Sequence, residues 1–357
     1  MKPINSWSGK LAAAAIIAAG IGSPVSALTF VLNDVTPGGM SAEALAGFTQ
    51  ATNIWSANIG DAITINLDIR FDGNDISGNP MSGTTLGSAG STNQGLTYSA
   101  VRAALVGKAT SADDAVAVAN LPVGSALSFL TNDATTGNVV TDDDGTNNNK
   151  ILNVNTANAK ALGLRTANDS ATDAGIAFNT AFSWDFDQSD GVGAGLQDFV
   201  GVTVHEIGHA LGFVSGVDDV DAVSNPDGPS APIDLDTFRV VTVWDLYRYS
   251  AAGQLDYAYG GSPYFSLDGG TTSLGMFSTG AFNGDGRQAS HWKDNLGLGL
   301  MDPTASNPNA APPGNENHLG ALDLMAFDVI GYQLIPEASS SLLFLLGGCL
   351  AFRRRRS

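Results

Sequence analysis

The sequence predicts a single α+β domain, and three stretches carry that expectation. Residues 63–71 (ITINLDIRF) alternate strictly, with Ile63, Ile65, Leu67, Ile69 and Phe71 on one face and Thr64, Asn66, Asp68 and Arg70 on the other. A period of two is the pattern of a strand with one buried face. Residues 41–59 set Leu45, Phe48, Ile54 and Trp55 on helical spacing behind Ser41, a residue suited to an N-cap. Residues 198–213 (DFVGVTVHEIGHALGF) predict a second helix, capped by Asp198 and stopped by Gly212, with Phe199, Val200, Val202, Val204, Ile207 and Leu211 as its apolar positions.

The other elements follow in chain order. Residues 72–97 are rich in Gly, Ser, Asn and Thr and read as a loop. Helical patches are expected at 98–106, 113–119 and 156–162. Residues 176–187 (IAFNTAFSWDFD) read as a strand, followed by a glycine-rich turn from Asp190 to Leu196. The segment 213–290 contains VTVWDLYRYSA and YFSLDGG, expected as strands or turns in which Trp244, Tyr247 and Phe265 pack. In residues 319–332, Leu322, Met325, Ala326 and Val329 keep helical spacing, which makes Met325 a core residue. No internal repeat is visible.

Composition excludes several classes. The chain has 357 residues, 43% of them hydrophobic, enough to bury a sizeable core. Its formal charge of −19 argues against sequence-independent nucleic-acid binding, which needs clustered Lys and Arg. The one cysteine, Cys349, allows no intramolecular disulfide. It also leaves the main body without a thiolate zinc ligand or cysteine nucleophile.

Both ends read as addresses. Residues 1–27 carry Lys2 and Lys10, an apolar run from Leu11 to Ile21, and small residues before Leu28. That order is a secretory signal cleaved after Ala27, and the run is short of the ~20 residues of a membrane span. Residues 336–357 combine Pro336-Glu337, an apolar stretch from Leu342 to Phe352, and Arg353 to Arg356. This tail resembles the PEP-CTERM sorting signals of Gram-negative bacteria, with Ala338 where a second proline is usual. The resemblance implies handling by exosortase-type machinery, transient membrane contact through the tail, and a secreted or outer-surface destination. Six of the sixteen basic residues and one of the 35 acidic residues lie in these ends, so the body at 28–335 carries a charge near −24. Exported domains this acidic often take Ca²⁺.

The chemistry concentrates at 205–209. His205 and His209 are four apart, so both rings leave one face of the helix. In this H-E-x-x-H arrangement two histidines can hold one Zn²⁺ while Glu206 activates its water. With four His and four Glu in the chain, chance would produce the pattern about 5 × 10⁻⁴ times in a sequence of this length. A catalytic zinc needs a third protein ligand. Ser215 stands where the compact extended motif would place a histidine. His291 is the leading candidate, His318 the less favoured one, and Asp218 and Asp219 come behind both.

HEIGHALGF, a long insertion, then SHW and LMDP resemble the leishmanolysin-like metzincin metalloproteases, and a group of PEP-CTERM-tailed bacterial predicted metalloproteases in particular. The resemblance implies a zincin domain with a mixed twisted sheet, an active-site helix, and an insertion of about 213–290 before the third ligand. On this chain it makes His205, His209 and His291 the zinc ligands and Glu206 the catalytic acid/base. Gly212 then permits the turn toward the third ligand, and Met301 forms the floor beneath the metal. A zinc endopeptidase acting on proteins or peptides is the implied activity. The alternative is a non-enzymatic surface or biofilm-matrix protein that keeps an inactive zincin scaffold. Leishmanolysin is disulfide-rich whereas this body has no cysteine, so substrate preference does not transfer.

Two acidic clusters remain. Asp185, Asp187 and Asp190 offer closely spaced carboxylates for a possible calcium site, and Asp142, Asp143 and Asp144 resemble part of a calcium loop. Neither has the bidentate Glu of an EF-hand, and solvated turns are the simpler reading of both.

Overall fold

A computed structural model describes residues 28–133, 135–224, 236, 239–304 and 319–336. The expected signal at 1–27, the tail from 337 onward and His318 lie outside the described residues.

The first half builds a sheet and the helices that cover it. β1 (Thr29–Asp34) leads into α1 (Ala42–Asn58), β2 (Thr64–Phe71), β3 (Gly87–Ser91) and β4 (Asn93–Thr97). Then come α2 (Tyr98–Lys108), α3 (Ala112–Asn120), β5 (Phe129–Asn132), β6 (Val139–Asp142) and α4 (Asn147–Lys150). β7 (Ile151–Asn155), α5 (Thr156–Ala161), β8 (Ala174–Phe178), β9 (Trp184–Asp185) and β10 (Gln197–Asp198) precede α6 (Phe199–Leu211) and α7 (Val217–Val223). The remainder is β11 (Arg248–Ala251), β12 (Gln254–Asp256), β13 (Tyr264–Phe265), β14 (Gly275–Met276) and α8 (Ala321–Val329).

The four-stranded sheet has the order β1-β2-β8-β3. β1, β2 and β8 run parallel, and β3 pairs antiparallel with β8 at the edge. A six-stranded sheet, β14-β13-β11-β12-β5-β6, lies in the second half of the chain together with β5 and β6, and its only parallel pair is β12 with β5. Two short ladders, β4-β7 and β10-β9, are also present among the described residues. The domain is α+β with several sheets, as expected.

The alternation of residues 63–71 holds: Ile63, Ile65, Leu67 and Ile69 are buried while the intervening residues are half-exposed. Ser41 caps α1, its hydroxyl accepting from the Ala44 N–H. α1 lies against α6, and the Trp55 indole N–H donates to the Val204 carbonyl at 3.0 Å. Phe48, Phe71, Phe178, Trp184 and Phe199 meet edge to face between these helices and the sheet. Buried aromatics of this size each contribute about 1.5–3 kcal/mol by area and ~0.5–1.5 kcal/mol per well-oriented pair. A second aromatic group, Phe213, Trp244, Phe265, Phe277 and Trp292, fills the space behind the later part of the chain. Trp244, Tyr247 and Phe265 are thus core residues.

Two expectations need correction. Residues 72–97 are not all loop, because β3 and β4 form there. Their sequences, GSAGS and NQGLT, carry little strand propensity, and backbone pairing to β8 and β7 holds them extended. The strand expected over 176–187 breaks after Phe178, where the Asn179 side-chain oxygen accepts from the Ala181 N–H and turns the chain. Among the described residues no helix is long and apolar enough to cross a membrane.

Candidate metal centre

α6 has the limits its sequence sets. The Asp198 carboxylate accepts from the Gly201 N–H at 2.8 Å, and Gly212, at φ 126°, takes a backbone conformation that a side chain disfavours. The carbonyls at the end of α6 are not left bare. Asn155 donates to those of His209 and Ala210, and the Tyr332 hydroxyl donates to that of Leu211 at 2.6 Å. The helix is therefore anchored at the turn that carries His209.

Three imidazoles converge on one point. Nε2 of His209 lies 3.0 Å from Nε2 of His205 and 3.2 Å from Nε2 of His291. Each ring's other nitrogen donates to a backbone carbonyl: His205 Nδ1 to Leu300 at 2.8 Å, His209 Nδ1 to Phe213 at 2.7 Å, and His291 Nδ1 to Gln288 at 3.1 Å. A carbonyl only accepts, so the proton sits on Nδ1 in every ring and each Nε2 presents a lone pair. Three acceptors facing one another have no hydrogen-bond solution, whereas a shared cation satisfies all of them. Tetrahedral zinc with ~2.0–2.1 Å bonds to nitrogen separates its ligands by roughly 3.3 Å, close to the spacings found.

Electrostatics agrees. Burial disfavours the charged imidazolium, lowering His205, taking His291 down to about 3 and carrying His209 well below the usual range with help from its two neighbours. All three are neutral near pH 7, as metal ligation requires. Among the described residues, these three are the one group of His, Cys, Asp or Glu side chains gathered closely enough to hold a metal ion.

Glu206 points from the same helix turn and is buried at 6% exposure. Burial alone pushes its carboxyl up to about 8. α6 packs along β3, and the carboxylate lies against Gly87 at the start of that strand. Met301 is wholly buried beneath the helix, and a Cβ added at Gly208 would come within 2.5 Å of its sulfur. Gly208, between His205 and His209, is what admits Met301 so near the helix backbone.

The other proposed ligands are placed elsewhere. Asp218, on α7, accepts from the Ala289 and Ser290 N–H groups at 2.5 and 3.1 Å and bonds the Ser290 hydroxyl. It holds the residues preceding His291 rather than contributing an oxygen, and Asp219 does not join the group either. Asp185, Asp187 and Asp190 do not form a calcium cluster. Asp185 accepts from the Asp187 and Gly193 N–H groups and Asp187 from that of Ser189, so these carboxylates cap their own turn, and Asp190 ends it exposed. Asp142 is likewise taken by the Asn148 and Asn149 amides, and Asp144 by the Thr146 N–H. Asp323, buried and bonded to Trp292, Leu300 and Met301, was not legible beforehand, because nothing local distinguishes it from an ordinary acid in a helix's first turn.

No protein-family model, no curated protein and no solved structure matches the chain. The chemistry of the centre therefore rests on its own residues.

Proposed function

We propose that this chain is a zinc-dependent endopeptidase of metzincin type, exported and sorted to the outer cell surface, where it cuts extracellular proteins or peptides. The observation that supports it best is the set of three unprotonated Nε2 atoms converging on one point, with the buried carboxyl of Glu206 carried on the same helix. A scaffold retained only for adhesion has no use for that carboxyl, whose burial costs stability at neutral pH.

His205, His209 and His291 would hold the zinc, which when bound supplies a Lewis acid that acidifies water and polarises a carbonyl. Glu206 takes the proton of the attacking water and delivers it to the departing amine nitrogen. Among the described residues β3 pairs on one side only, with β8. Its free edge offers backbone N–H and C=O groups to an extended substrate, which would then pass the Glu206 carboxylate at Gly87. The tail and signal supply the address. The experiment is hydrolysis of an unfolded casein-like protein by the metal-supplied chain, its chelated form and Glu206→Ala. Activity only in the first supports the reading. A folded, zinc-loaded chain that cuts nothing would favour the surface-scaffold alternative.

A further inference from the structure

Asp323 is fully buried at the start of α8, and its carboxylate serves four donors. One oxygen accepts from the Trp292 indole N–H at 2.8 Å and the Met301 N–H at 3.3 Å. The other accepts from the Leu300 and Gly320 N–H groups, each at 2.7 Å. Three of these donors belong to segments that carry or orient the metal centre. Leu300 provides the carbonyl that fixes His205, Met301 lies beneath α6, and Trp292 follows His291 directly. The Trp292 N–H also donates to the Met301 carbonyl at 2.9 Å, so the two segments are tied together as well as to Asp323. The Gly299 backbone passes so close that a Cβ there would stand 2.3 Å from the carboxylate.

The geometry points to Asp323 as a positioning residue for the metal centre, setting the His291 segment and the Leu300–Met301 turn relative to each other and, through Leu300, the ring of His205. This rests on the metal reading of the three histidines. An ionised carboxylate accepts only, at about four lone-pair sites, and here four N–H groups meet it. Asparagine has the same shape but turns an NH₂ toward two of those donors, leaving buried groups unpaired. Partners that orient a metal's ligands are commonly worth roughly 10–100-fold in metal affinity.

The test compares zinc dissociation constants and the visible spectra of the Co²⁺-loaded full chain for wild type, Asp323→Asn and Asp245→Asn. Asp245 is as deeply buried and also accepts four hydrogen bonds, from Ser215, Gly216 and Thr242, none of them on the Trp292 or Leu300–Met301 segments. Asp323→Asn is expected to weaken zinc binding about 10–100-fold and shift the cobalt bands, while Asp245→Asn lowers thermal stability without either change. Equal loss of stability in both, with wild-type affinity and spectrum, overturns the role. Should Asp323→Asn fail to fold, Gly299→Ala keeps the carboxylate but displaces it. A shift in the same direction supports the proposal, and wild-type affinity and spectrum in the folded variant contradict it. Nitrogen NMR of the metal-free chain separates this inference from the metal reading. A His205 Nδ1 proton protected in wild type and exposed in Asp323→Asn supports positioning even if no metal binds, and unchanged protection overturns it.

Discussion

His205 and Leu300, 95 residues apart, are joined by a 2.8 Å hydrogen bond from the imidazole Nδ1 to the backbone carbonyl. That bond decides which nitrogen of His205 carries the proton and turns Nε2 toward His209 and His291. The same device, a carbonyl on the outward nitrogen, recurs at the other two rings. The three Nε2 atoms are thus left facing one another in an arrangement able to hold a metal ion.

Glu206→Gln keeps the size of the side chain but cannot move a proton. It is expected to retain zinc and fold while peptide hydrolysis falls by roughly 10²–10⁴-fold, the range for a general acid/base. Zinc content and kcat/KM measured together check this, and a wild-type rate would remove Glu206 from its role.

His291→Ala removes one converging nitrogen and is expected to weaken zinc binding by more than about 100-fold, beyond what an orienting residue contributes. His318→Ala, at the sequence's less favoured candidate, should bind as wild type. Competition titration against a zinc chelator reads both, and the reverse order would move the third ligand to 318.

What was legible in advance follows from range. Ile63 to Phe71, the Ser41 and Asp198 caps, Gly212 and the His205–His209 pair are each set by neighbours within a few residues, and the structure bears them out. His291 could be ranked but not fixed, because 81 residues separate it from His209 and only packing closes that gap. β3 escaped notice because Gly87 to Ser91 have no side-chain pattern, and its extension is imposed by β8. Asp218 and Asp323 escaped as supports because their partners lie about 71–72 and 22–31 residues away. The Asp triplets could be read either way from spacing alone, since carboxylates that cap turns share the spacing of those that bind calcium, and the turn reading favoured from the sequence is the one the structure shows.

Met301 fills buried volume beneath Gly208 without contributing a ligand nitrogen or oxygen. Met301→Ala is expected to cost about 2–5 kcal/mol of stability, as for other large-to-small core changes, and to leave one metal per chain. Denaturant unfolding with metal analysis checks it. Lost stoichiometry at unchanged stability would instead make the sulfur part of the site.

Folding raises Glu206 from 4.5 to about 8 in the metal-free chain. The folded form then keeps a proton the unfolded form has released, so this group's contribution to stability declines as pH rises from about 4.5 to about 8. The depressed histidines act oppositely: they stay neutral in the fold, and stability is lost as pH falls below about 6.5 toward 3. Metal-free Glu206→Gln should therefore gain stability over wild type progressively from pH 6 to pH 8. Parallel unfolding curves across that range contradict the assignment.

Metal content per chain reads out whether a zinc ion is held by His205, His209 and His291. The purified, metal-supplied chain is expected to retain one zinc after dialysis, and His291→Ala to retain none. A folded wild-type chain that emerges without zinc would contradict the account.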